Sequence, residues 1–189
     1  MNSNATNDAP AVTKILLLAS LSEHDGQDYF QDHVADNVDF YIARDGTVFH
    51  TDRQELGDQI NIMIGNVGPV MLHRGKAYPY RLDRNRMPEP DTDRPPVQLF
   101  YEFCQFRKFR GFQHYESYTA PQLRTLRELL EVLLQSYLIP NNLYLDNPSA
   151  KKKYETDAPG IYLNSIVNRR ALAPHPQQDL LDLIKNINQ

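Results

Sequence analysis

The sequence predicts an α/β fold, a mixed β-sheet flanked by helices in a single domain of 189 residues. Three observations carry that prediction. Lys14 to Leu21 (KILLLASL) is a continuous apolar run of strand length, as in a central strand covered on both faces. Val38 to His50 (VDFYIARDGTVFH) places Asp45-Gly46 between two β-rich runs, and both residues tolerate the positive φ of a tight hairpin turn. Thr119 to Gln122 has a capping-box pattern with an early proline, after which Leu123, Leu126, Leu130, Leu133, Leu134 and Tyr137 recur at helical spacing. Strands interspersed with such helices call for a sheet with helices packed on it.

The remaining elements follow in chain order. Residues 1–12 are polar and are expected to form a disordered tail ahead of a domain spanning 13–189. Asp8 stands where a signal peptide carries positive charge, and the apolar run after Lys14 is short. The expected location is therefore the cytoplasm, or outside the cell by a route without a cleaved signal peptide. His24 to Val38 is acid-rich with scattered Phe30 and Val34, which fits a short helix or a loop. Ile60 to Ile64 reads as a strand leading into the turn Gly65 to Pro69, and Val70 to Tyr80 contains a second turn at Arg74-Gly75-Lys76. Arg81 to Pro96 holds four prolines and many charges, which predicts a long surface loop. Phe and Tyr alternating with polar residues around 100–109 fit a half-buried strand. The helix after Thr119 should stop before Pro140, and Leu143 to Leu145 is a short strand. Lys151 to Lys153 form a solvated run. A last helix beginning near Pro176 sets Leu180, Leu181, Ile184 and Ile187 on one face.

Composition narrows the function. With 41% hydrophobic and 23% charged residues the chain is of globular type. A domain of this size buries roughly 70% of its unfolded surface, so a metal would serve function rather than hold the fold together. The longest apolar stretch, Ile15 to Ala19, falls far below the roughly 20 residues of a membrane span, so no membrane insertion is expected. Residues 1–58 carry 11 acidic against 3 basic side chains, which opposes a nucleic-acid face there. The basic and aromatic stretch from Arg81 to Arg110 is diluted by Asp83, Glu89, Asp91, Asp93 and Glu102, and no nucleic-acid partner is expected. Cys104 is the sole cysteine, which excludes an internal disulfide and a multi-cysteine zinc site and fits a small core residue. The six histidines stand singly, none in a His-x-x-x-His pair. No Ser-His-Asp arrangement, phosphate-binding loop or dinucleotide fingerprint is present.

The stretches KILLLASL, FYIARDGTVFH, INIMIGNVGPVMLHRGKAYPY, FRGFQHYESYTAPQLRTLRELLEVLLQSYLIP and GIYLNSIVNRRALAPHPQQDLLDLI follow one another over most of 13–187. In order and spacing they resemble the zinc-dependent N-acetylmuramoyl-L-alanine amidases, the type 2 amidase and peptidoglycan-recognition-protein family. The resemblance implies a mostly parallel sheet with a substrate cleft at one edge. It also implies two His and an Asp or Cys on zinc, leaving one position for the attacking water. At the matching places this chain has Ala19-Ser20, Asn164 and Ala173, the general-base position is Met63, and the hairpin aromatic is Phe40. The resemblance therefore implies a degenerate member, a pseudo-amidase without cofactor, acting in recognition or as a structural component of a larger assembly. Its partner would be a peptidoglycan fragment or another protein. Asn66, Tyr115 and Asn164 are the candidate binding residues, although Asn66 also suits its turn, Tyr115 a core position and Asn164 a loop cap. The competing reading is an active amidase with a displaced zinc site built on His24 and His175, with Asp25 as an oxygen ligand.

Overall fold

A computed structural model describes residues 12–22, 24–36, 38–52, 57–102, 112–145, 158–163 and 177–187. Among the described residues two sheets and three helices make a mixed α/β domain. The first sheet has six strands: β1 (Lys14–Ala19), β2 (Phe40–Ile42), β3 (Val48–His50), β4 (Gln59–Ile64), and, late in the chain, Leu143–Leu145 and Gly160–Leu163. Between β4 and those late strands lie β5 (Pro69–His73), β6 (Lys76–Leu82), β7 (Pro88–Pro90), β8 (Phe100–Glu102) and β9 (His114–Glu116), so the late pair is β10 and β11. The helices are α1 (Gly26–Tyr29), which continues as a π-helical turn Phe30–Val34, α2 (Ala120–Tyr137) and α3 (Gln178–Lys185).

The first sheet runs β10-β11-β1-β4-β2-β3, parallel throughout except for the edge hairpin β2–β3. Its central strands β11, β1 and β4 are apolar on both faces because helices cover both. Ile15, Leu17, Ile60, Ile62, Ile64, Ile161 and Leu163 pack with Leu126, Leu130, Leu133 and Leu134 of α2 and Leu180 and Ile184 of α3. The alternate residues Leu16, Leu18, Tyr41, Met63 and Tyr162 pack with Phe30 and Val34 on the other side. The period of two that separates these sets is the period of the strand itself. Full burial of each large aliphatic side chain is worth about 1.5–3 kcal/mol. Val12, 6% exposed, joins the first cluster, so folded structure reaches into the expected tail; residues 1–11 lie outside the described ones.

The second sheet, β7-β6-β5-β9-β8, is antiparallel, and it corrects the expectation of one sheet. Short-range hairpin signals between 69 and 116 are equally compatible with either sheet, because the pattern of a strand does not name its partner. The stretch 81–96 is likewise no plain loop. β6 extends to Leu82 and pairs with β7 in the register Leu82↔Pro88, Arg81↔Glu89, Tyr80↔Pro90. β7 is an edge strand, where a proline's missing N–H breaks no ladder. The Asp83 carboxylate closes the intervening turn by accepting from the Asn85 and Met87 amides at 2.8 and 2.7 Å.

Helix α2 begins as its sequence predicts. Thr119 Oγ1 accepts from the Gln122 amide at 3.2 Å, and Gln122 Oε1 accepts from the Thr119 amide at 3.0 Å. Leu138, in the left-handed conformation at φ 53, ends the helix ahead of Pro140. Among the described residues no helix is long and apolar enough to cross a membrane. The lysine run 151–153 and Cys104 lie outside the described residues.

Candidate functional site

In sheets of parallel strands, ligands settle beyond the carboxyl ends of the strands. Here β1, β2 and β4 end at Ala19, Ile42 and Ile64, and the residues that follow them build a cleft of about 430 Å³ against the second sheet. Asp25, Arg44 and Val67 come from the ends of the first sheet, and Glu116 and Ser117 from β9 and its exit. Pro79 and the segment Pro95 to Leu99 supply the apolar wall.

The polar side of the cleft is an ion network. Arg44 Nε and Nη2 donate to Glu116 Oε1 and Oε2, each at 3.1 Å, a bidentate pair across 72 residues. Nη2 also donates to the Ser22 carbonyl at 2.7 Å. The Arg44 amide donates to Asp25 Oδ2 at 2.7 Å, and Tyr41 donates its hydroxyl proton to Oδ1 of the same carboxylate. Burial alone would lower the pKa of the Arg44 guanidinium, but the bond to Glu116 and the charges of Glu116 and Asp25 outweigh it and raise it. Burial, then the hydrogen bond to Asp25, drive the Tyr41 phenol far above its ordinary range. Arg44 therefore stays charged and Tyr41 stays neutral.

The network is sewn to the fold by backbone bonds. Glu116 Oε2 accepts from the Val67 amide at 2.5 Å, and the Glu116 amide donates to the Gly68 carbonyl at 2.9 Å. Thr119 Oγ1 donates to the Arg44 carbonyl at 2.6 Å, and Gln122 Nε2 donates to the Gly65 carbonyl at 2.7 Å, which ties the start of α2 to the same place. Gly65 has no substitute here. A Cβ on it would stand 2.7 Å from the Tyr41 hydroxyl and 2.9 Å from Asp25 Oδ1.

Asn66 lies at this junction but is fully buried. Its side chain accepts from the Gly68 amide at 2.7 Å and donates to the Glu116 carbonyl at 3.1 Å, while its own amide donates to Ser20 Oγ at 3.0 Å. It shapes the connector that carries Val67 to the cleft. Tyr115 of β9, 4% exposed, pairs with Pro69 of β5 and meets Phe112 edge-on at 6.5 Å. His24 is exposed, its ring stacked 6.5 Å from that of Tyr29, and it does not line the cleft, whereas its neighbour Asp25 does. Asn164 and His175 lie outside the described residues, as does Ala173.

Of the places matched above to zinc ligands, Ala19-Ser20 is the one that falls among the described residues. Ala19 and Ser20 are buried, and the Ser20 hydroxyl is engaged with the Asn66 carbonyl at 3.2 Å. Met63 sits in the apolar cluster with Phe30, Val34 and Tyr41. Among the described residues no three His, Cys, Asp or Glu side chains stand together as a ligand set. Neither Arg44 nor Glu116 stands out in the sequence, because no local pattern links two side chains 72 residues apart. No protein-family model, curated protein or solved structure matches this chain.

Proposed function

We propose that this chain is a non-catalytic, amidase-like recognition domain whose cleft between the two sheets binds a peptide-bearing peptidoglycan fragment. One observation carries the reading: at the strand ends the charged groups Asp25, Arg44 and Glu116 are held in fixed mutual contacts, facing an apolar wall of prolines, Val97 and Leu99. Fixed dipoles opposite an apolar surface orient a ligand without supplying an activated nucleophile. A cleft of this size suits a short peptide with an attached sugar.

The test is co-sedimentation of the whole protein with purified insoluble peptidoglycan. Leu99 is 61% exposed and lines the cleft, so Leu99→Asp should leave the fold intact and abolish retention. Retention that survives Leu99→Asp would place binding elsewhere. Absence of retention, with a second protein co-purifying instead, would replace the reading by that of a scaffold in a larger assembly.

A further inference from the structure

The tip of the β5–β6 hairpin bears a second concavity. An open notch of about 500 Å³ is lined by His73, Arg74, Lys76, Tyr78 and Thr92. Its backbone is strained: Arg74 holds φ 49 beside Gly75 at φ 76 in the two-residue turn. The left-handed region disfavours a long side chain, and Asn-Gly is the pair that best fills such a turn. Its charge is crowded as well. Arg74 and Lys76 both line the notch, and the His73 imidazole belongs to the residue directly opposite Lys76 in the antiparallel register. Nearby arginines are arranged otherwise: Arg81 is paired with Glu89 and Asp93, and Arg94 with Asp91. The notch is lined by no carboxylate.

Strained backbone that gathers like charge, with no carboxylate lining it among the described residues, marks a place where a bound anion is stabilising. The lining side chains carry the donors an oxyanion accepts from: a guanidinium fork, an ammonium, an imidazole and two hydroxyls. We propose that the β5–β6 tip is an oxyanion site that takes a phosphate group, independently of what the cleft holds. The phosphate belongs either to a soluble ligand or to an anionic lipid headgroup.

The test is titration of the whole isotope-labelled protein with inorganic phosphate at low ionic strength, followed by backbone amide spectra. Saturable shifts confined to residues 73–78 and Thr92 are expected. The double variant Arg74→Asn, Lys76→Gln should keep the fold, since Asn suits the turn, and should bind at least about tenfold more weakly. Shifts that never saturate, that spread over the surface, or that persist unchanged in the double variant would overturn the proposal. Flotation with phosphatidylcholine vesicles, with and without phosphatidylglycerol, separates the sources. Capture only by anionic vesicles, lost in the double variant, identifies a headgroup; saturable phosphate binding without capture identifies a soluble ligand.

Discussion

Replacing Tyr41 by phenylalanine removes a single oxygen from the interior and tests the cleft network at its root. The ring is fully buried, stacked on Phe30 and Phe49 with centroids at 6.2 and 6.3 Å, and those contacts survive the change. What is lost is the donor to Asp25 Oδ1, while Oδ2 keeps the Arg44 amide. A hydrogen bond to a charged acceptor is worth about 1.5–3 kcal/mol, so a loss of about 2 kcal/mol is expected near neutral pH. The pH dependence has a definite sign. The phenol is held neutral in the folded chain by burial first and the Asp25 bond second, so its folded pKa lies above its unfolded one. Below about pH 10 both states keep the proton and the full contribution is present; above it only the unfolded state releases the proton, and the contribution falls by about 1.4 kcal/mol per pH unit. Wild type and Tyr41→Phe should therefore converge about one and a half units above pH 10. With no tryptophan in the chain, urea unfolding followed by far-ultraviolet circular dichroism is the suitable assay. Equal stability of the two proteins near neutral pH, or a gap that stays constant into the alkaline range, would refute the argument.

Two further perturbations probe the same region. Gly65→Ala forces a Cβ to within 2.7 Å of the Tyr41 hydroxyl and should destabilise by about 1–3 kcal/mol. In the Tyr41→Phe background that penalty should shrink, because the nearest clashing atom is gone; additive losses in a double-mutant cycle of urea midpoints would contradict this. Thr119→Ala removes both the acceptor of the Gln122 amide and the donor to the Arg44 carbonyl, and thermal melts should report a loss of about 1–2 kcal/mol that Thr119→Ser restores.

The local elements were legible in the residues that form them. Asp45-Gly46 marks the β2–β3 hairpin, Thr119 and Gln122 mark the start of α2, and the unbroken apolar run from Ile15 marks a strand covered on both sides. These signals are short-range, and each carries its own physical cause. The second sheet and the cleft were not legible, because their determinants are pairings over long separations. Glu116 reads locally as one polar residue on a three-residue strand, and only the fold sets its carboxylate against Arg44 and the Val67 amide. Pro88 and Pro90 read as loop residues, since their tolerance in a strand depends on that strand lying at a sheet edge. Asn66 drew notice as a polar residue after a strand, but its side chain is engaged in holding the connector rather than facing the cleft.

The reading as a non-catalytic recognition domain is tested most directly by measuring the peptide released from purified peptidoglycan while zinc is supplied and the protein is bound. Protein retained on the polymer, with no peptide released above the protein-free control, is the expected result. Chelator-sensitive release of peptide would contradict it and favour an active amidase instead.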